Sequence, residues 1–296
     1  MKIRAPAKIN LRLRVVGKRK DGYHLLDTIM VPVSLYDEIE ITKTKANERG
    51  RSSLEKIKVT CDHPSVPQGR KNLAYKAAAL LMEKTGTDTR VRIDIRKRIP
   101  VGGGLGGGSS DAAATLVGFN RLLRLGLSTR TLEKLSLSLG ADVPFFIQPR
   151  PVRARGIGER LSTLGKLPSL WAVILYPKFP VSTAWVYRKL RLKLTKPSAN
   201  TSINSLLRNA DGLRQLLVND LETVTMGRYV KVASLKSRLA GEGAIGALMT
   251  GTGSSVFGLF SSRLKAEQAF RRLHEVGGAE AFLVRVLGRM GRSRIR

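Results

Sequence analysis

Apolar side chains stand at every second position from residue 9 to residue 15, and polar or basic side chains stand between them. A period of two is typical of a β-strand that buries one face. The same alternation over residues 90–96 predicts another strand of this kind. Further strands are predicted at residues 36–42, 171–176 and 281–286.

Helical spacing of apolar residues alternates with these strands. Residues 72–84 carry Leu73, Ala77 and Leu81 at intervals of four, and Gly86 is placed to end that helix. Since helices and strands are mixed along the chain, the pattern predicts an α+β protein. Other helices are predicted from residue 111 onward, from 128 or 129 to 140, and over residues 183–190, 213–223, 230–239 and 262–275.

Turn residues divide these elements. Asp21-Gly22 predicts a turn after the first strand, and the polar stretch 43–56 is typical of a long hairpin connection rather than a domain linker. Arg150-Pro151 is a candidate boundary between two halves of the chain. No internal repeat is found, so the sequence predicts two different lobes.

The length and composition fit this interpretation. The 296 residues suffice for one large domain or two ordinary ones, with 42% hydrophobic and 25% charged residues. No apolar run approaches the roughly 20 residues that span a bilayer, and the first residues resemble neither a signal nor a transit peptide. Cys61 is the only cysteine, which excludes an internal disulfide framework. We therefore expect a cytoplasmic protein of bacterial type.

The charge is unusual. Lysine and arginine number 53 against 22 acidic residues, which gives a net charge of +31. Such a field attracts polyanions, among them nucleotides, phosphorylated metabolites and nucleic acid. The cation-rich stretches 188–196 and 285–296 are equally compatible with a solvated face that binds nucleic acid only non-specifically.

A glycine-rich loop lies between a predicted strand and a predicted helix. Six of the seven residues from 102 to 108 are glycine, Leu105 being the exception. Glycines leave backbone N–H groups unshielded, and at the start of a helix such donors favour an anion, commonly phosphate. Ser109 and Ser110 add hydroxyls that could reach a phosphate oxygen or Mg²⁺. The alternative is a flexible turn or close helix–sheet packing.

The glycine loop does not match the sequence patterns of two well-known phosphate-binding loops. Gly102, Gly104 and Gly107 satisfy G-x-G-x-x-G, but a dinucleotide site expects an acidic residue about 20 positions further on. No Asp or Glu occurs between Asp111 and Glu133, and the loop lacks the lysine of a P-loop. The sequence therefore indicates a phosphate loop of a third kind.

Two other segments carry candidate chemistry. Asp142 is a lone carboxylate in an apolar stretch, which predicts a partly enclosed side chain that needs a cation or several donors. The alternative is an aspartate that caps a helix. Residues 249–257 form a second loop of glycines and hydroxyls, which by itself would be an ordinary turn.

Taken together, three motifs resemble those of the GHMP small-molecule kinases. They are residues 5–11, 100–113 and 250–253, in family order and spread over nearly the whole chain. Residues 21–24 and 140–144 resemble the members that act on a cytidine diphosphate alcohol.

The resemblance implies a two-lobed fold with the active site in the cleft. Residues 1–155 would form an ATP-binding lobe of ribosomal-protein-S5-domain-2-like type, and residues 156–296 a ferredoxin-like lobe. It also implies transfer of the γ-phosphoryl group of ATP, with Mg²⁺, to the 2-hydroxyl of a methylerythritol unit in non-mevalonate isoprenoid synthesis. Asp142 would accept the hydroxyl proton, and Lys8 would orient the nucleophile and keep Asp142 ionised.

The same resemblance assigns the binding residues. The ATP-binding residues would be Pro100, Val101, Gly102, Gly103, Gly104, Leu105, Gly106, Gly107, Gly108, Ser109 and Ser110, with Asn72 and Lys97 near the adenine. The substrate-binding residues would be Asn10, Tyr23, His24, Tyr187, Thr250, Gly251, Thr252 and Gly253. In this scheme Tyr23 and Tyr187 enclose the cytosine and His24 pairs with its edge; the metal ligands are unknown, Ser110 being one candidate.

Other functions stay open at this point. The loops would equally serve a GHMP kinase that acts on homoserine, mevalonate or a sugar. The net charge raises a second alternative, a nucleic-acid-binding protein, although aromatic residues make up only 5% and no nucleic-acid-binding signature is found. We expect small-molecule substrates, no membrane, and a monomer or homodimer.

Overall fold

The computed structural model describes residues 1–44, 56–191, 203–274 and 278–288. Most of the predicted connection 43–56, most of the basic stretch 188–196 and the last residues of the chain lie outside these ranges. The strands of the described residues are β1 Lys2–Lys18, β2 His24–Thr44, β3 Ile57–Cys61, β4 Arg90–Arg96, β5 Val152–Gly156, β6 Arg160–Thr163, β7 Trp171–Tyr176, β8 Val218–Asn219, β9 Gly246–Met249, β10 Val256–Phe260 and β11 Glu280–Arg285.

Helices connect these strands, and several are capped by residues that the sequence places at their ends. Asn72, Ser128 and Ser262 each accept a backbone hydrogen bond at the start of a helix. The helices are α1 Leu73–Thr85, α2 Gly107–Leu122, α3 Thr129–Ser136, α4 Val143–Ile147, α5 Thr183–Lys189, α6 Ile203–Leu206, α7 Ala210–Leu216, α8 Glu222–Arg228, α9 Val230–Gly241 and α10 Arg263–Leu273.

The larger sheet is built on the long antiparallel pair β1–β2, in which Ile9 lies opposite Val31. Strand β2 is long enough to pair on its other edge with β5 near its start and with β4 near its end. The resulting order is β3-β4-β2-β1-β8, with β6 paired to β5. Strand β8 comes from the second half of the chain and lies parallel to β1.

The smaller sheet has the order β11-β7-β10-β9 and is antiparallel throughout. Helices α9 and α10 pack against it. One apolar cluster fills the space between the larger sheet and α1, α2 and α4, with Ile93, Phe119 and Phe145 buried in it. A second cluster, which includes Ile9 of β1 and Phe257 of β10, joins the two sheets. Strand β1 therefore lies between the lobes, which is where the site is built.

Most predicted elements are confirmed, with changes in length. The turn at Asp21-Gly22, the strands and the α+β class are found as expected, but β1 and β2 extend well beyond residues 9–15 and 36–42. Helix α2 begins at Gly107, inside the predicted loop, and α3 ends at Ser136 rather than at residue 140.

One predicted helix is wrong. Residues 213–223 divide among α7, the strand β8 and α8. Backbone pairing between Val218 and Arg12 of β1 interrupts the helix, and Asn219 then donates its amide to two carbonyls of the second glycine loop. The division between residues 155 and 156 stays a prediction; the hairpin β5–β6 that it crosses lies in the larger sheet.

Among the helices of the described residues, none has the length and the apolar character that crossing a bilayer requires.

Candidate active site

The glycine loop runs from the end of β4 into α2 along one wall of the cleft. Gly104 and Gly106 have φ angles of 79° and 74°, a conformation that residues with a Cβ rarely adopt. A Cβ on Gly104 would also lie 2.2 Å from the carbonyl oxygen of Thr250. Because α2 begins at Gly107, its first N–H groups have no partner within the helix and can bind an anion.

The second glycine loop packs against the first. Ser255 N donates to Gly103 O at 3.1 Å, and Thr250 Oγ1 lies 3.3 Å from Gly104 O. From the segment after β7, Val181 N donates to Gly102 O at 3.2 Å. Three carbonyls of the glycine loop are thus held by hydrogen bonds from the second lobe.

Lys8 and Asn10 follow one another at strand spacing on β1, so their side chains share a face. Both are buried, with exposed fractions of 4% and 2%. Lys8 Nζ donates to Asn10 Oδ1 at 2.6 Å, and the same oxygen accepts from Gly251 N at 3.0 Å. Asn10 Nδ2 donates to Thr28 Oγ1 at 2.8 Å, so this amide links β1, β2 and the second glycine loop.

Asp142 immediately precedes α4, yet its side chain makes no capping hydrogen bond. Its Oδ2 lies 3.8 Å from Lys8 Nζ, and 39% of the side chain is exposed toward the cleft that it lines. Burial lowers the pKa of Lys8, while the negative charge of Asp142 opposes this shift. The pair therefore combines a partly exposed carboxylate with a buried ammonium group, an arrangement suited to proton transfer at an alcohol.

The cleft has a volume of about 1060 Å³ and brings most of the predicted residues together. Among the predicted residues, Ser110, Thr250 and Gly253 do not line it; all three are buried behind it. The predicted residues that line it are Lys8, Asn10, Tyr23, His24, Asn72, Lys97, Pro100, Val101, Gly102, Gly103, Gly104, Leu105, Gly106, Gly107, Gly108, Ser109, Asp142, Tyr187, Gly251 and Thr252.

Aromatic side chains, here called the aromatic end, form another part of the lining of the cleft. The rings of His24 and Tyr187 stack with centroids 5.1 Å apart, whereas Tyr23 is 61% exposed. Burial, and next to it the charge of Lys18, lowers the pKa of His24. Burial and the charge of Asp142 raise the pKa of the Tyr187 hydroxyl, so both groups are neutral near pH 7.

Two residues predicted near the adenine already have partners within the protein. Asn72 accepts from Ala74 N and donates to Pro67 O, both at 2.8 Å. Lys97 Nζ bridges Asp37 and Asp111. Although both residues line the cleft, a contact of either with adenine stays a prediction.

Sequence reasoning assigned no role to several residues that build the site. Asp37 is one of them, although its position in β2 offers a signal: it falls in phase with the buried Ile39 and Ile41. A carboxylate in the apolar register of a strand requires a buried partner. Thr28 and Tyr176, whose hydroxyl donates to Val101 O at 3.0 Å, carry no comparable signal.

The glycine loop ahead of α2, the Lys8–Asp142 pair and the two-lobed architecture define a small-molecule kinase of the GHMP class. Residues 72–149 match the family described as GHMP kinases N terminal domain, and residues 200–279 match GHMP kinases C terminal. A crystal structure of homoserine kinase from Cytophaga hutchinsonii has a TM-score of 0.74 over 98% of this chain and 95% of that one; at 17% identity it shows the fold alone.

Relatives with higher identity narrow the assignment. The 4-diphosphocytidyl-2-C-methyl-D-erythritol kinase of Citrifermentans bemidjiense is 47% identical over 97% of this chain and 99% of its own length. The enzyme of that name from Syntrophotalea carbinolica is 46% identical over 95% and 96%. A crystal structure of 4-(cytidine 5'-diphospho)-2C-methyl-D-erythritol kinase is 36% identical, with a TM-score of 0.80 over 97% of this chain and 100% of that one. This chain belongs to the family of 4-diphosphocytidyl-2-C-methyl-D-erythritol kinases. The resemblance inferred from its motifs is confirmed.

Proposed function

We propose that this protein transfers the γ-phosphoryl group of ATP to the 2-hydroxyl of 4-diphosphocytidyl-2-C-methyl-D-erythritol, which yields the 2-phosphate and ADP. The observation that carries the proposal is the joining of a phosphate loop, a lysine–aspartate pair and an aromatic end in one cleft. Relatives named for this substrate, 42–47% identical, support it over the homoserine and mevalonate alternatives.

Phosphoryl transfer depends mainly on alignment and on neutralising charge. The N–H groups at the start of α2 would bind phosphate oxygens, since they have no partners within the helix. The contacts from Thr250, Ser255 and Val181 would keep these donors in place without reorganisation during the reaction.

Asp142 would accept the proton of the attacking hydroxyl. Its exposed face can contact the alcohol, while Lys8 Nζ, 3.8 Å away, would orient the attacking hydroxyl beside it. Asn10 would act mainly by holding the ammonium group, since its Oδ1 accepts from Lys8 at 2.6 Å. A positioned base contributes about 10²–10⁴-fold in rate.

Magnesium would accompany ATP, and one group of this chain fits it. Ser110 Oγ is buried and has no hydrogen-bond partner among the described residues. Mg²⁺ binds oxygen and is usually held by one or two protein groups together with substrate phosphates. Because Ser110 lies behind the lining of the cleft, its hydroxyl would have to turn toward the phosphates to supply one such oxygen. The ion would neutralise charge on the phosphates when bound.

The aromatic end would bind the cytidine. Stacked rings have centroids about 4.5–7 Å apart, so the 5.1 Å between His24 and Tyr187 leaves no room for a third ring between them. For cytosine to lie against the face of Tyr187 that His24 covers, the His24 ring must leave this stack. His24 would then be free to pair with the edge of the base, and Tyr23 could cover its other face.

The test is release of ADP from ATP and Mg²⁺ with 4-diphosphocytidyl-2-C-methyl-D-erythritol, compared between the parent and Asp142→Asn. We expect kcat to fall at least about 10²-fold, because asparagine cannot accept the proton. Asp211→Asn is the matched control, since Asp211 is exposed on α7 and does not line the cleft. Turnover of homoserine or mevalonate but not of the cytidyl compound would contradict the assigned substrate.

The remaining expectations concern partners and location. A monomer or homodimer, non-specific contact with nucleic acid, and a cytoplasmic location of bacterial type stay proposals. The net charge of +31 supports the second of these, because contacts with phosphate backbones need only exposed cations.

A further inference from the structure

A buried cluster of three ionisable groups lies directly behind the phosphate loop. Lys97 Nζ is 2.5 Å from Asp37 Oδ2 and 2.7 Å from Asp111 Oδ2. None of the three side chains is more than 4% exposed. Buried ionisable groups need partners, and here one ammonium group donates to two carboxyl groups.

The cluster spans the base of the loop. Lys97 precedes the loop and Asp111 directly follows Ser110, so the bond between them joins the two ends of residues 100–110. Asp37 holds the incoming strand, since its Oδ1 accepts from Arg98 N at 2.6 Å and from Ile99 N at 2.9 Å. Both ends of the loop are therefore tied to the long strand β2.

The ammonium group also lies close to the start of α2. A Cβ added to Gly107 would lie only 2.9 Å from Lys97 Nζ. The N–H groups that have no partner within α2 begin at this residue, so Lys97 lies beside the backbone that would bind phosphate. A loop with six glycines has many backbone conformations open to it, and a tie across its base removes most of them.

We propose that Lys97, Asp37 and Asp111 are positioning residues that hold the phosphate loop in its ATP-binding shape. The proposal rests on the proposed function only in taking ATP as the ligand of the loop. Residues with this role affect the affinity for ATP and leave the affinity for the acceptor alcohol unchanged, since the hydrogen bonds of the cluster go to the base of the loop and not to the aromatic end.

Two substitutions of Asp111 test the role of its hydrogen bond with Lys97. Asp111→Asn keeps an oxygen that can accept from Lys97, whereas Asp111→Leu removes the acceptor and leaves Lys97 paired with Asp37. Calorimetric titration with ATP and Mg²⁺ measures the effect. We expect Asp111→Leu to raise the Kd for ATP about tenfold, as loss of a charge-assisted hydrogen bond implies, and Asp111→Asn to raise it less than about threefold.

Glu38→Gln is the matched control, because Glu38 neighbours Asp37 on β2 but is exposed and pairs only loosely with Arg96 at 3.8 Å. A Kd for Asp111→Leu within twofold of the parent would overturn the proposal, whatever happens to the unfolding temperature. So would an equal rise in the KM for the acceptor, or a rise in Kd for Glu38→Gln.

The outcome can be separated from that of the proposed function. Calorimetry reads ATP binding alone and needs no acceptor, so a wrong acceptor assignment leaves this test intact. Should Asp111→Leu not fold, Asp37→Asn replaces it. Both carboxyl oxygens of Asp37 accept hydrogen bonds, so the NH₂ group of asparagine would face another donor, either Lys97 or the backbone N–H groups of Arg98 and Ile99. We expect that variant also to raise the Kd for ATP about tenfold.

Discussion

Burial is the main influence on the pKa of Lys8. Removal from water favours its neutral form and so lowers its pKa, and the carboxylate of Asp142 at 3.8 Å counteracts this. Asn10 Oδ1 accepts a short hydrogen bond from Lys8 Nζ. Lys8 and Asp142 therefore face each other as a buried cation and a partly exposed carboxylate, and substitution of Asp142 would remove the charge that opposes the lowering of the Lys8 pKa.

Gly104 is the position where a single added carbon atom is expected to cost most in the loop. Its φ is 79°, and a Cβ at this position would lie 2.2 Å from Thr250 O, which leaves no space for alanine. We expect Gly104→Ala to lower the free energy of unfolding by about 2 kcal/mol or more. Gly108→Ala is the control, because its nearest neighbour would be Leu73 at 3.6 Å. Equal loss of stability in both variants, measured by urea unfolding, would contradict this.

Asp111 predicts how stability depends on pH. Burial and the charge of Asp37, opposed by Lys97, raise its pKa from 3.8 to about 7. The folded protein then binds this proton more tightly than the unfolded chain does, so the stability it contributes is present below about pH 4 and is lost as the pH rises to about 7. Relative to Asp111→Asn, the parent should lose on the order of 1 kcal/mol or more between pH 5 and pH 8. Parallel stability curves for the two proteins would exclude this shift.

Among single elements, α1 shows how one side chain can serve both a helix and a site. Asn72 caps α1 through Ala74 N and lines the cleft. Ser128 caps α3 in a similar way but is exposed and distant from the cleft. Comparing substitutions of the two caps therefore separates an effect on helix stability from an effect on nucleotide binding.

We expect Asn72→Ala and Ser128→Ala each to lower the free energy of unfolding by about 1 kcal/mol, because each leaves an N–H group at a helix start unpaired. Only Asn72→Ala should also raise the KM for ATP, if the predicted contact with adenine exists. An unchanged KM would show that Asn72 serves α1 alone. Thermal unfolding and ADP release measure the two effects.

Elements with strong local signals could be predicted from the sequence, and those made by distant pairing could not. Gly86 ends α1 as expected, and the predicted start at residue 72 is where Asn72 caps the helix, because such signals act within a few residues. Residues 213–223 have the apolar spacing of a helix, yet Val218 and Asn219 pair with β1, some 200 residues away in sequence. The local helix or strand propensity of a segment contains no information about a pairing partner so distant in sequence.

The candidate site divides in the same way. Its motifs supplied Lys8, Asp142 and the glycine loop, because each contains residue types that few structural roles require together. The Asp37–Lys97–Asp111 cluster was not foreseen, since its three members lie on β2, after β4 and on α2. Their proximity depends on the register of β2 and β4, in which Glu38 lies opposite Arg96.

For the molecule as a whole, the net charge of +31 should act against the folded state. Like charges repel across a compact structure, and the Debye length falls from about 30 Å at 0.01 M salt to about 8 Å at 0.15 M. We therefore expect NaCl to raise the unfolding temperature by several degrees over this range. Chloride is the appropriate salt, since phosphate or sulfate would bind the phosphate loop as ligands. A lower unfolding temperature in NaCl would contradict this.

Strand β8 has a consequence for how the chain could be divided. It returns from the second half to lie beside Arg12 and Leu13 of β1, and Asn219 ties it to the second glycine loop. A fragment cut before residue 170 would leave that edge of β1 open, and an open edge invites pairing with other chains. Two co-expressed halves should therefore recover activity by complementation, whereas the first half alone should aggregate, so neither lobe is a portable module for protein engineering.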